Sequence, residues 1–214
     1  MLSRVHEQAQ ADRADLEFFR LYGPWEPTTP TQAQSLLDGF DAEWWVVGGW
    51  ALEAFTGVER AHEDIDISFF RRDLPKLRRH FAGRYHLWSN DGGVLRPVTD
   101  RWPDLQLDAE QVWLREHAMA PWRLDMLANP DHEGRWVFRR DPEVTADLES
   151  VTWVKQGIRY STPEVVLAFK ALHDGVKDRA DLDAALPLLE PGRRGWLRDT
   201  VTRLHPGHRW LDRI

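Results

Sequence analysis

Apolar positions along this chain change their period several times, and the changes mark the elements. Over the first 22 residues the spacing is helical, with Leu16, Phe18 and Phe19 as the expected buried edge, and Gly23-Pro24 breaks the segment. Thr29-Pro30 opens a short helix, with threonine as N-cap and proline at the first helical position, and Gly39 closes it. Trp44 to Val47 is a continuous apolar strand, of the kind buried on both faces. Trp50 to Phe55 starts a helix directly after Gly48-Gly49, and Gly57 ends it. Asp64 to Phe70 is the next strand, polar at its start and apolar after. Asp73 to Phe81 is helical, with Leu74, Leu77 and Phe81 on one side. The stretch 84–108 reads as two or three strands around Asp91-Gly92-Gly93. In the strand 121–127, Arg123 and Asp125 share one face while Trp122, Leu124 and Met126 share the other. An outer strand at 135–138 and a hairpin at 151–160, turning at Gln156-Gly157, follow.

From Ser161 the period is helical again. Ser161-Thr162-Pro163-Glu164 has the form of a capping box, Val165, Leu167, Ala168, Phe169 and Leu172 make an apolar stripe, and two more helices cover about 177–189 and 193–204. The pattern predicts an α+β fold: a mixed sheet flanked by helices over residues 1–150, followed by a C-terminal helical unit over 151–214. A cleft is expected between the two.

Composition sets limits. The 214 residues carry a net charge of −7, which argues against nucleic acid as a partner, since nucleic-acid binders show a basic footprint. With no cysteine, thiolate nucleophiles and cysteine-based zinc sites are excluded. The charged N-terminus lacks the apolar core of a secretory signal, and Trp44 to Leu52, the longest uncharged apolar run, is too short to span a bilayer. A soluble cytoplasmic protein is expected. Most of the twelve tryptophans are expected in the core and crevice walls, with Trp50, beside the glycines, the candidate to stack on a base.

The chemistry concentrates at Gly48-Gly49 and Asp64-Ile65-Asp66. Glycines at the end of an apolar run let backbone amides approach an anion, and the helix that follows aims its free amides at the same point. Carboxylates at i and i+2 of a strand share a face. Together they put two hard oxygen ligands beside a phosphate cradle, as Mg²⁺-dependent phosphoryl or nucleotidyl transfer requires. His62 reads as an orienting residue. The P-loop, HExxH and GxSxG patterns are absent.

The segment GGWALEAFTGVERAHEDIDISF resembles the signature of the DNA polymerase beta-type nucleotidyltransferases. It is most similar to that of the aminoglycoside and lincosamide nucleotidyltransferases, with Arg60, His62, Asp64 and Asp66 matching Arg-x-His-x-Asp-x-Asp. The resemblance implies a nucleotidyltransferase-like sheet and a third carboxylate on a central strand, matched by Asp125 in WRLDML. It also implies a C-terminal helical lysine followed by a Lys-Asp pair, matched by Lys170 and Lys177-Asp178. Gly49 departs from the Gly-Ser of many members, so phosphate holding falls to backbone amides and basic side chains. On this reading Asp64, Asp66 and Asp125 hold two Mg²⁺ ions and carry the catalysis. Gly48, Gly49, Trp50, Arg60, Lys170 and Lys177 bind a nucleoside triphosphate, and the acceptor is a hydroxyl of a small molecule such as an aminoglycoside-like antibiotic. Two alternatives stand beside it: a toxin or modifier acting on tRNA or protein, and a catalytically inactive binding module.

Overall fold

A computed structural model describes residues 16–214. Helical residues 16–22 (α1) lead through an irregular stretch to α2 (Pro30–Leu36). Its capping box is complete: Gln32 N–H donates to Thr29 Oγ1 at 3.3 Å, and Thr29 N–H donates to Gln32 Oε1 at 2.8 Å. There follow β1 (Trp44–Val46), α3 (Gly48–Thr56), β2 (Asp66–Phe70), α4 (Leu74–Phe81), β3 (His86–Asp91) and β4 (Val94–Pro97). Next come β5 (Gln111–Arg115), β6 (Trp122–Asn129), β7 (Asp131–His132), β8 (Arg135–Val137), β9 (Thr145–Ala146), α5 (Leu148–Val151), β10 (Thr152–Lys155) and β11 (Ile158–Ser161). The chain ends in α6 (Pro163–Lys170), α7 (Val176–Ala185) and α8 (Pro191–Leu204), with 3₁₀ turns after α7 and α8. No described helix is long and apolar enough to cross a membrane.

Eight strands form one mixed sheet in the order β10-β11-β1-β2-β6-β5-β3-β4, and β7, β8 and β9 form a small second sheet. The pairs β1–β11 and β2–β6 are parallel and the others antiparallel. The register of β1, β2 and β6 aligns Trp45 with Ser68 and Ser68 with Leu127, on the face that carries Asp66 and Asp125. Val46, Ile67 and Met126 align on the other face and are fully buried. Period-two alternation thus separates a hydrophobic layer from a polar one within the same central strands.

Several expectations are corrected. In α1 the expected buried residues Leu16 and Phe19 are 66% and 52% exposed. Only Phe18 packs, against Tyr22 and Trp113. The expected helix residues 1–15 lie outside the described residues. The strand β5 carries no clear alternation, since Val112, Trp113 and Leu114 are buried in succession, and it was not expected. At α6 the capping box does not form: Thr162 is the N-cap without a side-chain bond, and Glu164 instead accepts from Arg193 on α8 at 2.5 Å. The expected hairpin turns at Gln156-Gly157, both with positive φ, and β11 pairs with β1. The main sheet therefore continues past residue 150, and the helical segment begins at Pro163.

Candidate active site

The strand β1 ends at Val46, and the chain turns at once into α3 through Gly48, whose φ is +61°. A side chain there would be strained by that backbone and would collide with Asp66 Oδ2. Glycine is thus required for the α3 terminus to lie against the carboxylate. At Gly49 the space a side chain would fill is held by the Arg60 guanidinium. The expected open cradle at Gly49 is therefore covered in this state by a cation, which is compatible with anion binding once that flexible side chain shifts.

The segment 58–65 is irregular, and contacts to α3 place it. His62 Nε2 lies 2.8 Å from Glu53 Oε2, which also accepts the Arg60 N–H at 3.1 Å. The His62 ring stacks on Trp50 at 3.9 Å between centroids, and Trp50 Nε1 donates to the Asp64 carbonyl at 3.1 Å. His62 thus takes an orienting place through Glu53, and Trp50, the candidate to stack on a base, has one face on His62. Both residues fix the backbone that delivers Asp64.

Asp64 stands just before β2, not inside it as expected, while Asp66 is the first residue of β2. Asp66 pairs in register with Asp125 on β6, so the sheet brings the two carboxylates side by side. Asp125 is 6% exposed; its Oδ2 accepts from Gln111 Nε2 at 2.7 Å, and its Oδ1 has no hydrogen-bond partner. Burial, and then the neighbouring Asp64, pushes the Asp66 carboxyl up to about 7. Burial and the charges of Asp66 and Asp64 hold Asp125 well above the usual carboxylate range, and burial with Glu63 raises Asp64. Asp64 and Asp66 line the cavity and Asp125 lies buried beside Asp66; with all three carboxyls raised, a bound cation would ease their ionisation.

The opposing wall comes from α6 and α7. Lys170 reaches the same cavity of about 460 Å³ as Gly48 and Asp66, and it is the largest influence lowering Asp66. It is not a free cation. Its Nζ lies 2.8 Å from Asp178 Oδ1 and 3.1 Å from Asp181 Oδ2. Burial alone would raise Asp178, but the Lys170 ammonium and the Gly175 amide outweigh it and hold its carboxyl below the usual range. Arg60 Nε is 3.3 Å from Asp181 Oδ1, and exposed Lys177 lies 2.7 Å from Glu63. All three expected phosphate-binding cations line the cavity, each with an acid at hand.

Two lining residues escaped the sequence reading. Arg139 and Arg140 follow Phe138 in an irregular turn between β8 and β9. Arg139 acts electrostatically on both Asp66 and Asp125, and its guanidinium is 2.7 Å from Glu110. No motif or periodicity marks them.

Among the described residues, no three His, Cys, Asp or Glu side chains are drawn together closely enough to cage a metal as they stand. The donor set still fits a hard divalent cation: carboxylate oxygens only, one of them buried without a partner on a carboxyl raised by burial and then by its neighbours' charge. A cation between them would satisfy the orphaned oxygen and remove the repulsion.

Comparisons with known proteins bear on the fold and the family. No curated protein sequence gives a significant match. Among solved structures, the chain is similar to a crystal structure of ANT(2'')-Ia in complex with adenylyl-2''-tobramycin, with TM-score 0.52 and 14% identity over 79% of this chain and 92% of that one. The solution structure of the antibiotic-resistance factor ANT(2'')-Ia gives TM-score 0.50 and 16% identity, over 79% and 86%. Lincomycin-bound lincosamide antibiotic adenylyltransferase LnuA gives TM-score 0.51 and 19% identity, over 77% and 100%. These likenesses show the fold. Residues 31–151, more than half of the chain, match the sequence model of the aminoglycoside-2''-adenylyltransferase family; the chain belongs to that family and is an enzyme of the nucleotidyltransferase class.

Proposed function

We propose that the enzyme moves a nucleoside monophosphate, with ATP the first candidate donor, onto a hydroxyl of a small antibiotic-like molecule in the cytoplasm. The observation that carries this reading is the in-register pairing of Asp66 with Asp125, with the Gly48 turn packed on Asp66. Asp64, Asp66 and Asp125 would hold Mg²⁺, which when bound neutralises phosphate charge and polarises the reacting oxygens. The rest of the work belongs to the chain. The first amides of α3 would face the anion once the Arg60 guanidinium that covers Gly49 shifts, and Gly48 brings no side chain to the path. Glu53, His62 and Trp50 hold the Asp64 segment in place.

Asp125 or another acid of the site would take the proton from the acceptor hydroxyl. Asp125 is buried, its Oδ2 tethered by Gln111 at 2.7 Å, and its neighbours Asp66 and Gln111 line the cavity. Lys170 keys α6 to α7 through Asp178 and Asp181 and sets the wall facing the carboxylates.

The test is to incubate the protein with ATP, Mg²⁺ and a panel of aminoglycosides and lincosamides, following pyrophosphate release and acceptor mass. One panel member is expected to gain an adenylyl group with the parent enzyme, and none with Asp64→Asn or Asp66→Asn. Adenylyl transfer that survives either substitution would overturn the site assignment.

A further inference from the structure

The five cations around the cavity are unequal. Lys170 is engaged by Asp178 and Asp181, Arg60 by Asp181, and Lys177 by Glu63. Each would have to leave, or share, a carboxylate to meet a phosphate. Arg140 is exposed on the rim and makes no ion pair among the described residues. Its neighbour Arg139 has one acid contact, with Glu110 at 2.7 Å; that glutamate is 57% exposed, whereas the Arg139 side chain is only 14% exposed. A half-solvated carboxylate is a weak competitor for a guanidinium that a buried anion could also reach.

The turn that bears the two arginines is fixed at both ends. Phe138 is fully buried and packs on Phe169 at 4.7 Å between centroids. Asp141 Oδ2 accepts from Arg203 Nε on α8 at 2.6 Å, and the Val144 N–H returns to the Asp141 carbonyl at 3.0 Å. The Arg139 guanidinium lies over the Phe169 ring, 5.5 Å from its centroid. Two adjacent guanidinium groups are therefore presented to the cavity from a braced support. Planar guanidinium forks match phosphate oxygens in pairs, which an ammonium cannot do.

We propose that Arg139 and Arg140 are the polyphosphate-binding cations of this enzyme, and that Lys170 and Lys177 serve to position the α6–α7 wall. This rests on the nucleotidyl-transfer reading above. It moves the phosphate contacts from the helices, where the resemblance puts them, to the turn between β8 and β9.

The experiment measures, by calorimetry at several salt concentrations, the affinity of the full chain for ATP with Mg²⁺ and for adenosine. Arg140→Gln, which breaks no contact of the fold, is expected to weaken ATP binding about tenfold, as loss of one charged contact does. Adenosine binding should stay unchanged, and the salt dependence of ATP binding should become shallower. Arg139→Gln should show the same signature, and Arg139→Lys, which keeps the charge but not the fork, should fall between. Lys170→Gln should lose melting temperature and keep a parent-like salt dependence. Parent-like ATP affinity in both glutamine variants would overturn the proposal while leaving the reaction assignment intact. So would an equal loss for ATP and adenosine. A parent protein that binds no nucleoside triphosphate with Mg²⁺ would overturn the reaction assignment itself, and this inference with it.

Discussion

Replacing Asp66 by Asn is expected to stabilise the metal-free protein while abolishing its activity. The Asp66 carboxyl is pushed up to about 7 from 3.8 by burial and by Asp64. Its folded value therefore lies above its unfolded one, so ionisation works against folding as the pH rises through that interval. The difference, at about 1.4 kcal/mol per pH unit, gives a penalty of about 4 kcal/mol at about pH 8. At about pH 5 the folded carboxyl keeps its proton and the unfolded one does not, leaving a penalty of about 1.5 kcal/mol. Asn removes the charge and keeps the shape. After discounting for the partial exposure of Asp66, the variant should gain about 2 kcal/mol more at about pH 8 than at about pH 5. Urea unfolding in the presence of a chelator, followed by tryptophan fluorescence at both pH values, measures this directly. Adding Mg²⁺ and ATP should then raise the midpoint of the parent and leave that of the variant unchanged. A gain of equal size at both pH values, or a loss at pH 8, would refute the claim that uncompensated carboxylate charge is stored at this site.

The other expectations are briefer. Gly48→Ala meets both a positive φ and Asp66 Oδ2, and should cost about 1–3 kcal/mol with loss of turnover; parent-like unfolding and activity would show that the turn tolerates a side chain. Lys170→Ala leaves Asp178 without its ammonium partner and Asp181 with only Arg60, and should lower stability by about 1–3 kcal/mol in thermal unfolding. Glu53→Gln weakens the bond to His62 and the acceptor for the Arg60 amide; it should reduce turnover more than stability, measured as initial rate beside melting temperature.

What could be read from the chain follows from how local each signal is. Gly48-Gly49 and Asp64-Ile65-Asp66 act within a few residues of their own backbone, so their types and spacing expose the turn and the acid wall. Strand alternation puts Asp125 on the face opposite Trp122, Leu124 and Met126, and its reading as the third carboxylate rests on the resemblance. The pairing state of Lys170 is not local. It depends on how α7 docks, since Asp178 and Asp181 belong to that helix. The same holds for Arg139, which reaches the carboxylates only because the small sheet folds back over the site. Its segment, Phe138-Arg139-Arg140-Asp141, carries no motif or periodicity that marks it in the sequence. Glu164 shows the reverse case: its spacing from Ser161 is that of a capping box, but Arg193, 29 residues on, takes the carboxylate. Long-range ion pairs override local capping when the side chain is buried with a partner on another helix.

The charge distribution also constrains how a nucleotide can enter. Along α6 and α7 positive and negative groups pair off: Lys170 with Asp178 and Asp181, Arg60 with Asp181, Lys177 with Glu63. That wall offers little net attraction to an anion. The sheet side is acidic, and burial first, then a neighbouring carboxylate (Glu63 for Asp64, Asp64 for Asp66, Asp66 and Asp64 for Asp125), raises all three carboxyls. A free triphosphate, itself polyanionic, meets acids on the sheet side and near-neutrality from α6 and α7, with the Arg139–Arg140 turn and the first amides of α3 in its favour. A triphosphate that arrives with divalent cations reverses the balance, because each cation is attracted to the acids that repel the phosphates. On the proposed reading, the acids that cost stability without a cation would favour the cation-bound nucleotide over the free one.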